Sequence, residues 1–169
     1  MDRSQGEALV LLEQPEQGVT LIRAGVNSEI SMLVKCTIIG PLLYLAEGYA
    51  KMGKIEQGMA VVSEAFELMK QTGEQQWEAE LYRTLSRLQL MRGSQEEAEA
   101  SLQKALEIAR RQNARSWELR AAIDLAHLWR RQGRADEGRQ MVKEIYAWFT
   151  EGFDTPELRE ARENSGEIS

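Results

Sequence analysis

Residues 77–116 read WEAELYRTLSRLQLMRGSQEEAEASLQKALEIARRQNARS, and Trp117 starts the same pattern again. In the first half, Leu81, Leu85 and Leu88 recur at helical spacing until Gly93-Ser94 interrupts them. A second helix is predicted from about Gln95 to Arg111, with Ala98, Leu102, Ala105 and Ala109 on one face. Glu96 and Glu97 stand at the positive end of its dipole and Arg110-Arg111 at the negative end, so charge and dipole agree. One unit is a helical hairpin.

Sliding the chain over itself by 40 residues aligns Gly53, Gly93 and Gly133. Small residues align as Gly18, Gly58, Ala98 and Gly138, with Glu16, Glu56, Glu96 and Asp136 two places earlier. Aliphatic residues align as Ile22, Val62, Leu102 and Val142. A second small column holds Gly25, Ala65 and Ala105 and closes with Ile145. A missing side chain at such columns lets two helix backbones approach closely. Gly73 and Asn113 follow the second helices, and both types tolerate the left-handed conformation that ends a helix. No stretch alternates as a strand would. The fold class predicted is all-α, a stack of antiparallel hairpins with a 40-residue period and about four units. Residues 1–169 form a single repeat domain: a divergent first repeat over 1–36, then repeats over 37–76, 77–116 and 117–154. Thr155-Pro156 suits an N-cap followed by proline in the first helical position, so residues 155–164 are predicted to be a polar capping helix.

The bulk composition narrows the function. The chain has 169 residues, 43% hydrophobic and 28% charged, as a folded domain should. Its net charge of −6 and pI near 5.0 argue against nucleic acid or an anionic membrane as partner. Cys36 is the single cysteine, so neither an internal disulfide nor a cysteine-pair zinc site can be built, and a reducing cytoplasm is the natural setting. No secretory signal is visible at Met1 to Gly6. The most apolar stretch, Ile30 to Ala46, is broken by Lys35 and Gly40-Pro41 and falls short of the roughly 20 apolar residues of a membrane span.

The sequence offers no catalytic constellation. Gly48 to Lys54 (GYAKMGK) has the spacing of a phosphate loop, but Ile55 stands where the magnesium-binding hydroxyl belongs, and the segment ends a helix. His127 is the only histidine, with Asp124 and Arg131 one turn away on either side and no nucleophile suggested nearby. Neither metal nor cofactor is expected. Cys36 reads as a small buried hydrophobe and the seven methionines as core filler. Trp129, Tyr146, Trp148 and Phe149 are expected to pack the last hairpin against the capping helix.

These columns resemble the tetratricopeptide family, in the longer-period form found in bacterial signalling proteins. Ala105 to Arg134 (ALEIARRQNARSWELRAAIDLAHLWRRQGR) and Tyr146 to Ala161 (YAWFTEGFDTPELREA) look like the C-terminal repeats of large bacterial regulators. In those, an adenylate or guanylate cyclase domain, or a related regulatory ATPase domain, precedes the repeats. The resemblance runs from Leu42 to Ala161. It departs over Asn27 to Gly40, where the turn glycine expected near Leu33 is absent. It implies a right-handed superhelical stack and a regulatory or docking role, with no catalytic residue to carry over.

In tetratricopeptide arrays the first helices of successive hairpins line a concave groove. Their stripe here reads Gly40, Tyr44, Glu47, Lys51, then Glu80, Thr84, Arg87, Met91, then Arg120, Asp124, His127, Arg131, with Arg83 beside the middle row. Tyr44, Glu47, Arg83, Arg87, Arg120, Asp124, His127 and Arg131 are the candidate partner-binding residues, because arginine forks suit the carboxylates of an acidic protein or peptide. The opposing reading is a solvated face with helix-internal pairs such as Glu80 with Arg83 and Arg120 with Asp124. The alternatives are a stand-alone adaptor that homodimerises through its N-terminal apolar segment (Ile30, Met32, Leu33, Val34, Ile38, Ile39), and an effector sensor with a small-molecule pocket.

Overall fold

The computed structural model describes residues 3–12, 14–28, 38–152 and 155–165. These residues form helices and connecting turns, with no strand among them. In chain order the helices are α1 (Arg3–Leu11), α2 (Pro15–Ser28), α3 (Ile39–Lys51), α4 (Ile55–Thr72), α5 (Glu78–Arg92), α6 (Gln95–Arg111), α7 (Arg115–Arg131), α8 (Ala135–Tyr146) and α9 (Pro156–Ser165). They fall into two compact units, Met1–Ser94 with α1 to α5 and Gln95–Ser169 with α6 to α9.

The turns follow from the period-40 glycines. Gly93 takes φ 91°, a left-handed conformation that costs a glycine little, and Ser94 N then donates to Gln89 O at 2.9 Å. The same closure recurs where Lys54 N meets Tyr49 O, Ala114 N meets Ala109 O and Arg134 N meets Trp129 O. In the third of these turns Asn113 supplies the left-handed residue, with φ 54°. At the other end of the chain, Leu158 N donates to Thr155 Oγ1 at 3.4 Å, so Thr155 caps α9 as expected.

In the first unit each helix packs on its neighbour in sequence, and the first helices α1, α3 and α5 also touch in succession. Val10, Ile22, Ile39, Leu42, Leu45, Leu81 and Leu88 form a continuous core there. The small column makes room at the helix contacts: a Cβ on Gly18 would stand 2.6 Å from the backbone oxygen of Gly6, and one on Gly58 2.8 Å from the Leu88 side chain. In the second unit α6, α7, α8 and α9 pack in sequence and α9 also touches α7. Leu102, Ile108, Leu119, Leu125, Leu128, Val142 and Ala161 are buried there.

Three expectations shift. Leu85 is only half-buried, unlike Leu81 and Leu88 on the same helix. Trp148 is 66% exposed rather than packed on the capping helix, with the Arg115 guanidinium 4.2 Å from its ring centroid. Met91 is exposed rather than a core filler. Of the apolar segment expected to form a dimer surface, Ile38 and Ile39 are buried in the first unit's core. Ile30, Met32, Leu33, Val34 and Cys36 lie outside the described residues, as does the turn near Leu33.

Candidate functional site

The expected stripe divides between the two units. In the first unit, α3 presents Tyr44 and Glu47, and α5 presents Arg83 and Arg87. Arg87 Nη1 donates to Glu47 Oε1 at 3.2 Å, joining two successive first helices across one repeat period. The pair is open to water, and such pairs contribute only about 0–1 kcal/mol, so a competing carboxylate can exchange with Glu47. Arg83 differs. Its Nε donates to both Glu80 oxygens at 3.2 Å and its Nη2 to Oε2 at 3.1 Å, and both side chains are largely buried. This is the helix-internal pair weighed from the sequence. Lys51, further along α3, reaches back so that its Nζ donates to Val10 O at 2.9 Å.

In the second unit, α7 carries Arg120, Asp124, His127 and Arg131. Helix α9 lies against this face. Arg120 Nη2 donates to Glu157 Oε1 at 2.6 Å, and His127 Nε2 stands 3.6 Å from Glu160 Oε1. Asp124 is half-buried and engaged, and Arg131 is exposed in the last turn of α7. A cavity of about 310 Å³ remains under the start of α9, lined by Leu119, Arg120, Phe149 and Leu158 among others.

Two clusters in the second unit escaped the sequence reading. Glu118 is 3% exposed, and its carboxylate accepts from Arg110 Nε at 2.8 Å and Arg115 Nη1 at 2.7 Å. The i,i+3 spacing of Arg115 and Glu118 was visible, but the reach from Arg110 across the turn was not. Glu99 accepts from Trp129 Nε1 at 2.7 Å, Arg134 Nη1 at 2.9 Å and Gln132 Nε2 at 3.1 Å. Arg134 also lies 4.3 Å over the Trp129 ring and forks onto Glu137. Together these clasp α6 to the end of α7 and the start of α8.

The clasp has a pH consequence. The bond from Trp129 foremost, then those from Gln132 and Arg134, hold the Glu99 carboxyl below the usual glutamate range, with burial opposing them. Glu137 is lowered in the same way, chiefly by its bond from Arg134. A depressed carboxylate contributes stability that is complete above its unfolded pKa of about 4.3 and is lost as pH falls through the folded value. The second unit should therefore weaken as pH falls below about 5. Glu99→Gln should lower stability by about 1–3 kcal/mol at pH 7 and flatten that acid limb. Thermal midpoints measured from pH 7 down to pH 3 check this, and an acid limb unchanged by the substitution would contradict it.

Among the described residues no group of three or more histidine, cysteine, aspartate or glutamate side chains is placed to hold a metal ion. None of their helices is long and apolar enough to cross a membrane. The phosphate-loop-like segment ends α3: Gly48 is buried against Val19 and Val10, and Gly53 makes the turn.

A family model described as tetratricopeptide repeat matches residues 38–111. Among solved structures, the chain is similar to the TPR-like repeats of a kinesin light chain from Podosopora anserina, with 16% identity and a TM-score of 0.67 over 98% of this chain and 85% of that one. It is also similar to BtubC (BKLC) from P. vanneervenii, with 18% identity and a TM-score of 0.69 over 98% of this chain and 74% of that one. At these identities the likeness is one of fold. No curated protein matches the chain. The fold is all-α and tetratricopeptide-like. Tetratricopeptide repeats generally mediate protein–protein interaction and are typically non-catalytic modules.

Proposed function

We propose, from a tetratricopeptide fold whose family model covers residues 38–111, that this chain is a non-catalytic protein-interaction and regulatory module of a bacterial signalling system. It takes an acidic protein segment on the first helices α3 and α5 of its first unit. The observation that carries the reading is the Arg87–Glu47 pair. An exposed guanidinium on α5 sits beside an acid on α3, and the half-buried Tyr44 stands three residues before that acid on the same helix. A partner carboxylate replaces Glu47 at little cost, and the ring offers an apolar surface beside it. The signalling context rests on the resemblance of residues 105–134 and 146–161 to the repeats of cyclase- and ATPase-linked regulators. A cytoplasmic location follows from that context and from the single cysteine.

Charge reversal tests this. Arg87→Glu should weaken capture of the partner, and salt should weaken the wild-type complex. The thermal midpoint should stay nearly constant, since an exposed ion pair such as Arg87–Glu47 contributes about 0–1 kcal/mol. Capture that survives Arg87→Glu in full would move the docking surface to the second helices.

A further inference from the structure

Helix α9 is an unusual cap. It packs on both α7 and α8, as α5 packs on both α3 and α4, so it takes the place of the next repeat's first helix. Yet α5 buries six residues, including Leu81 and Leu88, whereas the described side chains of α9 bury only Leu158 and Ala161. Ten residues is below the ~12–15 at which an isolated helix becomes stable in water. An open pocket of about 310 Å³ lies beside its first turn, lined by Leu119, Arg120, Phe149 and Leu158 among others. Polar contacts add to this small apolar anchor: Glu157 accepts from Arg120 and Glu160 stands beside His127, while Arg159 and Arg162 are exposed. The face presented to α7 and α8 thus reads Glu157, Leu158, Glu160, Ala161. That is an acidic amphipathic helix lying on the α7 stripe.

We propose that α9 is a displaceable occupant of a docking surface on α7, and that an acidic amphipathic helix of a protein partner binds Arg120 and His127 once α9 has left. The proposal rests on the reading of the chain as an interaction module and adds its regulation. A tethered occupant competes at a high effective concentration, so the resting chain is closed to weak partners and opens to one with greater apolar burial or a preformed helix. The partner it fits carries glutamates three residues apart with a leucine or larger apolar residue following the first. A bulkier side chain there reaches the open pocket that Leu158 borders.

The test uses the full chain and a fluorescein-labelled peptide of residues 155–163, TPELREARE, stapled into a helix through the exposed positions of Arg159 and Glu163. Two release variants free the surface by different routes. Leu158→Asp removes the apolar anchor. Glu157→Lys with Glu160→Lys reverses the charges and leaves the core intact, so a folding defect in the first does not decide the matter. Each release variant should bind the peptide at least about tenfold more tightly than wild type, and adding Arg120→Glu should remove that gain. Equal affinity in wild type and release variants overturns the proposal, as does the absence of saturable binding by both variants. A wild-type dimer that the peptide disperses overturns the choice of partner and assigns the surface to α9 of a second copy. Peptide binding lost in Arg87→Glu but indifferent to α9 overturns this proposal while leaving the interaction-module reading standing.

Discussion

Leu125→Ala is expected to destabilise the chain by about 2–5 kcal/mol, whereas Leu85→Ala, at the same place one repeat earlier, should cost only about 1–2 kcal/mol. The repeat pattern alone makes the two equivalent. The fold separates them, because Leu125 on α7 is 1% exposed while Leu85 on α5 is half-buried. Truncating Leu125 leaves a cavity lined by packed neighbours, and the lost contacts add to the lost transfer energy. Truncating Leu85 leaves a dent that water can reach. Chemical denaturation of the two variants side by side checks the ordering. Equal losses would show that burial in this fold does not distinguish the two sites.

Gly138→Leu should be comparably damaging, by about 3 kcal/mol or more. Gly138 faces α7 from the first turns of α8, and a Cβ placed there would stand 2.8 Å from Ala126 Cα and 2.9 Å from its Cβ. Both neighbours are rigid, since one is backbone and the other a methyl with no rotamer to change. Leucine is a better helix former than glycine by about 1 kcal/mol, which offsets part of the loss. The clash outweighs it because relief requires the two helices to separate, which loosens the contacts of Val142 and Ile145 as well. A midpoint equal to wild type would mean that α7 and α8 do not approach as closely as the geometry has them.

The fold was legible for a definite reason. Each of its devices is local and recurs: a left-handed turn residue at Gly53, Gly93, Asn113 and Gly133, and a small residue wherever backbones touch. The candidate site was less so. The sequence registers Arg87 and Glu47 one period apart, and their bond is the kind of contact a repeat register predicts. Arg83 was placed with them because it adjoins the same row, yet three bonds to Glu80 hold it inward. Arg120 and His127 were read as facing a partner. The chain's own α9 faces them, a fact that depends on how the segment after α8 folds back and not on any period. Trp148 misled for another reason. Aromatic residues are usually packed, whereas this one lies at the surface with the Arg115 guanidinium over its ring.

The most direct test of the account is photo-crosslinking from single positions in the full chain. Benzoylphenylalanine is placed at Tyr44 on the stripe and, in a second protein, at Ser63, which is exposed on the second helix α4. The account predicts that position 44 yields one partner adduct, that Arg87→Glu removes it, and that position 63 stays silent. A partner adduct from position 63 with none from position 44 would contradict it.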